Sequence, residues 1–169
     1  QPEGPHWAHE MGCPWNRLTC LRAACGTTPS HLACLVYAHT HGCAFDARVF
    51  ADAAATAPLS TLRYLFDEGC PYDESLAESA AAHGRLDVLE TFPSTAKSGG
   101  IAVTSAAASH GHLPCLKFAV ERLECDVDER ALSTAAAWGH KECVRYLVAA
   151  RCPGWDAYDE AWSPGSPQW

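Results

Sequence analysis

One spacing runs through this chain and leaves few folds open to it. Leu32, Leu59, Leu86 and Leu113 stand 27 residues apart, and Lys141 follows 28 further on. Leu35, Leu62, Leu89, Leu116 and Val144 keep the same step, as do Tyr37, Tyr64, Thr91, Phe118 and Tyr146. Alanine pairs track them at 23–24, 53–54, 80–81, 107–108 and 135–136. Cys13, Cys43, Cys70, Cys125 and Cys152 form a further column, with Lys97-Ser98 where the missing member belongs. Five columns in one register mean a tandem repeat. A unit this short cannot bury its apolar face alone, so successive units must stack.

Each period divides into two helices. Thirty alanines favour helix and allow close helix approach. Asp73 can cap a first helix, A, by accepting from free N–H groups of its first turn; Asn16, Asp46 and Asp128 share that column. Trp15, Phe45, Tyr72 and Val127 precede the cap, and Cys20, Phe50, Ala77 and Leu132 come five residues later, the spacing of a hydrophobic staple. Helix A runs to about His83, where Gly84, like Gly111 and Gly139, can take a left-handed turn. Helix B follows, with Leu86, Val88 and Leu89 on one face, and Gly12, Gly42 or Gly69 closes the unit. Two helices of about ten residues leave no room for a strand pair. The expected fold is all-α: an α-solenoid of helix-turn-helix units in one array over 1–169, partial at 1–12, then 13–42, 43–69, 70–97, 98–124 and 125–151, and partial again at 152–169. Pro93 should cut one helix B short, and Lys97-Ser98-Gly99-Gly100 predicts a looser joint there. Because the chain starts and stops inside units, it is expected to be a piece of a longer array.

Composition narrows the function. A formal charge of −8 argues against nucleic acid as a partner. No apolar run reaches the roughly 18 residues of a membrane span, and no leader segment is visible at Gln1-Pro2-Glu3-Gly4. The ten cysteines all fall in columns that other repeats fill with ordinary residues: Cys34, Cys115 and Cys143 inside helix B, Cys20 with Phe50, Cys25 with Ala55. Same-column residues of neighbouring repeats should lie about 10 Å apart, beyond disulfide reach. The expectation is therefore buried, reduced thiols, no disulfides, and a reducing compartment, cytoplasm or nucleus. No C-x-x-C, H-E-x-x-H or phosphate-binding glycine loop occurs, so no metal or cofactor is expected. His83 and His110 precede helix-ending glycines, where a polar ring can cap carbonyls; the pairs Asp73-Glu74, Asp128-Glu129 and Asp159-Glu160 suit helix starts, while Asp67-Glu68 ends a helix. Tyr37, Tyr64, Phe118 and Tyr146 are assigned to the core between repeats. The Trp15, Phe45 and Tyr72 ladder serves as staples or, in a sharper reading, as a partner-facing surface.

The phrases Ala80-Ala81-Ala82-His83-Gly84-Arg85-Leu86-Asp87-Val88-Leu89 and Ala135-Ala136-Ala137-Trp138-Gly139-His140-Lys141-Glu142-Cys143-Val144 resemble the ankyrin repeat. Gly12-Cys13-Pro14-Trp15-Asn16 and Gly69-Cys70-Pro71-Tyr72-Asp73 resemble the short-fingered repeats of amoebae and their giant DNA viruses. The likeness covers about residues 7–162, with Thr28-Pro29-Ser30-His31 as a three-residue insertion and with β-hairpin fingers very short or absent. The resemblance implies a non-catalytic module that holds a protein partner on a concave face made by helix A and the preceding connection; the chain is expected to be monomeric. Carried over position by position, that face comprises Arg17, Arg48, Glu74, Glu78, His83, Ser105, His110, Glu129, Arg130, Ser133 and Trp138. It also implies an adaptor, or a ligase substrate receptor, within a longer protein. An inert spacer within a repeat array is the alternative; an enzyme or metal-binding protein is the most distant reading.

Overall fold

The computed structural model describes residues 17–156, so the expectations placed on Cys13, Trp15, Asn16, the 1–12 segment and the Asp159-Glu160 pair lie outside the described residues. Helices form where the caps predict them. The Asp46 carboxylate accepts from the Val49 N–H at 2.9 Å, and that of Asp128 from the Ala131 N–H at 3.0 Å. Asp73 accepts from the Ser75 N–H at 3.0 Å and from its hydroxyl. These bonds satisfy N–H groups that a helix start leaves unpaired.

The described residues fall into two compact lobes that divide after residue 76. The first contains α1 (Arg17–Ala24), α2 (Pro29–Thr40), α3 (Ala47–Thr56) and α4 (Leu59–Asp67), and α5 (Ser75–Ala82) spans the division. Within this lobe α1 packs on α2 and α3, and α3 on α4. The second lobe contains α6 (Leu86–Thr91), α7 (Pro93–Ser98), α8 (Gly100–Ser109), α9 (Leu113–Lys117, continued by a π-helical turn, Phe118–Arg122), α10 (Glu129–Ala137) and α11 (Lys141–Ala149). Here α8 packs on α10 and α9 on both α6 and α11, so helices A meet helices A and helices B meet helices B. No strand occurs among the described residues. The fold is the all-α repeat solenoid, with turns in place of fingers.

Two columns make the core. Leu35, Leu62, Leu89, Leu116 and Val144 are fully buried on helix B, and Ala23, Ala24, Ala53, Ala54, Ala80, Ala81, Ala107, Ala108 and Ala135 line helix A where methyl groups let backbones approach. The aromatic column departs from expectation. Tyr37, Tyr64, Phe118 and Tyr146 are half-buried, not core.

The expected joint at Pro93 also differs. Helix B does end early, at Thr91, but Pro93 then starts a helix of its own. Proline suits a first helical position, where its missing N–H costs nothing. Phe92, Thr95 and Ala96 are buried there, so α7 replaces a turn with packed structure.

The expectation of no disulfides is overturned. Cys20 on α1 is bonded to Cys43 beyond α2, their Cα atoms 6.7 Å apart. Same-column spacing does forbid bridges, but these two cysteines belong to different columns. The fourth residue of helix A packs against the turn after helix B of its own repeat, and only Cys20 and Cys43 place sulfur on both sides of that contact. The bridge also removes the premise from which a reducing compartment was read.

Candidate functional site

The remaining described cysteines are unpaired, and Cys70, Cys115, Cys125, Cys143 and Cys152 are buried. Burial, aided by nearby Asp46, Asp87 and Glu142 respectively, pushes the Cys70, Cys115 and Cys143 thiols up to about 11. Burial also raises Cys125 and Cys152. A thiol that stays protonated is neither nucleophile nor metal ligand. Its hydrogen has a different use: the Cys70 Sγ–H points to the Asp46 carbonyl and that of Cys125 to the Ala96 carbonyl, each at 3.5 Å.

Several of the described histidines lie against backbone carbonyls. His83 Nδ1 lies 2.9 Å from the Ser79 carbonyl oxygen and His110 Nδ1 3.0 Å from that of Ala106, which is the capping role read from their column. His112 Nε2 reaches the Ala82 carbonyl at 3.0 Å, and His140 Nε2 reaches that of Ser109 at 2.9 Å. Each of these last two ties the end of one helix A to the start of helix B in the following repeat. The His110 and His112 rings are parallel, centroids 6.5 Å apart. Among the described residues no group of three or more metal-ligating side chains converges.

The predicted partner-facing residues are distributed as follows. Arg17 starts α1, its side chain lying outside the described residues. In the first lobe Arg48 is exposed, 3.8 Å from Asp52, and Glu74 is exposed. In the second lobe Glu78, His83, His110, Glu129, Arg130 and Trp138 are exposed, and Ser105 and Ser133 are half-buried. The Ser133 hydroxyl donates to the Arg130 carbonyl at 3.1 Å. His110 and Trp138 are brought together: with Ser109 and His140 they line an open hollow of about 390 Å³. Trp138 is 74% exposed, far above the other described large apolar side chains. Ser109 and His140 escaped the sequence reading. The repeated Gly-His pairs, Gly111-His112 and Gly139-His140, carried the signal for the histidine.

The aromatic ladder is exposed only in part. Phe45 stacks on His39 with centroids 4.1 Å apart, and Tyr72 meets Phe50 and Phe66, each at 5.7 Å. His39 also contacts the Tyr64 hydroxyl at 3.2 Å. Tyr72 and Phe66 remain 43% and 45% exposed.

The family model for ankyrin repeats, in three copies, matches residues 60–158. The chain belongs to the ankyrin-repeat family. No curated protein and no solved structure matches it. The matched stretch contains Gly84, Gly111 and Gly139, whose φ angles of +69°, +76° and +75° close each helix A of these ankyrin repeats. Ankyrin repeats are generally protein–protein interaction modules and generally non-catalytic. No described helix is long and apolar enough to cross a membrane.

Proposed function

We propose that this chain is a single ankyrin array acting as a non-catalytic adaptor, and that it holds a protein partner on the helix A face around Trp138 and His110. The observation that carries this reading is the exposed indole beside an open hollow. Large aromatic side chains left in water beside a concavity are typical anchors for a partner, and they dominate binding energy when covered. Glu129, Arg130 and Ser133 on α10 supply a polar rim, and the charge of −8 favours a basic patch on the partner, with faster association.

Affinity capture from reducing cell lysate tests this, comparing the chain with a Trp138→Ala, His110→Ala double variant. Loss of an anchor worth about 2 kcal/mol weakens capture roughly thirtyfold. Circular dichroism must show unchanged helix content, because His110 also caps α8. Equal capture by both forms moves the site off this face.

A further inference from the structure

We infer that Cys20 and Cys43 form a reversible redox clasp that sets the order of the α1–α2 pair. The repeat explains why this pair alone is competent. In the α8–α9 repeat the same two columns meet through other chemistry, Thr104 Oγ1 donating to the Asp126 carbonyl beside Cys125 at 2.9 Å. Elsewhere the columns hold Phe50 with Cys70 and Leu132 with Cys152, so a second sulfur is missing. The bond closes a loop of sequence separation 23 that contains α2 and the connection before it. Closing that loop restricts the unfolded chain and favours the packed pair. A disulfide in a chain whose other described cysteines remain free fits a sensing role better than a structural one.

The chemistry is thiol–disulfide exchange with a low-molecular-weight disulfide, RSSR. One cysteine thiolate attacks RSSR and expels RS⁻, which takes up a proton as RSH. The second cysteine thiolate then attacks the mixed disulfide and expels another RS⁻, again protonated. Two electrons pass from the protein sulfurs to RSSR, and the two thiol protons leave on two RSH molecules. Cys20 is 0% exposed and Cys43 4%, so attack in either direction waits for α1 to lift. The clasp therefore responds slowly to redox change in either direction while folded. Thr56 Oγ1 donates to the Cys25 carbonyl at 3.0 Å and extends the restraint from the end of α1 to α3.

Hydrogen exchange read by mass spectrometry on the full chain tests the clasp, after equilibration with oxidised glutathione or with dithiothreitol. Peptide mapping under alkylation should find Cys20 linked to Cys43 only in the oxidised sample. Amides of α1 should lose protection about 30- to 100-fold on reduction. A Cys43→Ala variant should show the reduced-state protection in both buffers. Two results overturn the inference: Cys20 and Cys43 both alkylated in the oxidised sample, or α1 protection unchanged by reduction of a verified bridge. The wild-type comparison needs no variant, so a folding defect in Cys43→Ala leaves it decisive.

Discussion

The Nε2 of His140 lies 2.9 Å from the Ser109 carbonyl oxygen, while the opposite edge of the same ring rests on Gly111. A carbonyl only accepts, so the proton sits on Nε2. A Cβ built on Gly111 would come within 2.5 Å of His140 Nδ1, and one on Gly84 within 2.7 Å of His112 Nδ1. Glycine is required twice over at these positions, by a positive φ and by a ring.

Substitution separates the two requirements. Gly139 shares the left-handed φ of +75°, but a Cβ there meets nothing within 4 Å. Gly139→Ala should cost about 1–2 kcal/mol, the backbone penalty alone. Gly111→Ala should cost roughly 3 kcal/mol or more, since the ring must move and its hydrogen bond is lost. Urea midpoints check this, and equal losses would remove the ring from the account.

Glycine is absent where the same geometry recurs at Glu124, with φ of +55°, in the column that holds Gly42 and Gly69. The preceding π-helical turn and the Cys125 N–H to Ala119 carbonyl bond, 3.0 Å, hold it there. Glu124→Gly should therefore stabilise the chain by about 1 kcal/mol, because the left-handed strain disappears. Thermal melts should rise by a few degrees.

Alkaline pH should weaken the fold through its buried thiols. Cys115 and Cys143 ionise at about 11 when folded against an ordinary value of 9. Above that ordinary value the unfolded chain holds fewer protons than the folded one, so stability is complete below about pH 9 and falls toward pH 11. Each such thiol removes up to about 1.4 kcal/mol per pH unit in that window. Urea midpoints from pH 8 to 11 should drop less steeply in a Cys115→Ala, Cys143→Ala variant than in the parent.

Helix starts offer a simpler test. Asp128→Ala leaves the Ala131 N–H without its carboxylate and should cost about 1 kcal/mol; Asp128→Asn should cost much less, since asparagine caps nearly as well. A cost equal for both substitutions would mean that charge near the helix dipole, not the cap, is what matters.

The repeat made most of the fold legible. Leucine and alanine columns, aspartate caps and the glycines at 84, 111 and 139 are local signals with fixed spacing, and each is found where its column puts it. The Cys20–Cys43 bridge was missed for a definite reason: distances within a column follow from the period, but distances between columns require the packing of helix A on the turn after helix B. The same limit hid Ser109 and His140 at the hollow, which come from adjacent repeats and meet only when stacked. The α7 helix was hidden differently. Pro93 signals an end and a beginning with the same residue, and only the burial of Phe92, Thr95 and Ala96 decides between them.

That short helix has a consequence for how such a protein can change. The Cys125 thiol finds the Ala96 carbonyl within α7 at the same distance, 3.5 Å, at which Cys70 finds the Asp46 carbonyl at the cap of α3. At these two seams one sulfhydryl meets one oxygen, whether the chain before it forms an ordinary cap or an extra helix. Insertions at this seam have a place to accumulate without disturbing either side, which makes it a natural graft point for new loops in evolution and in design.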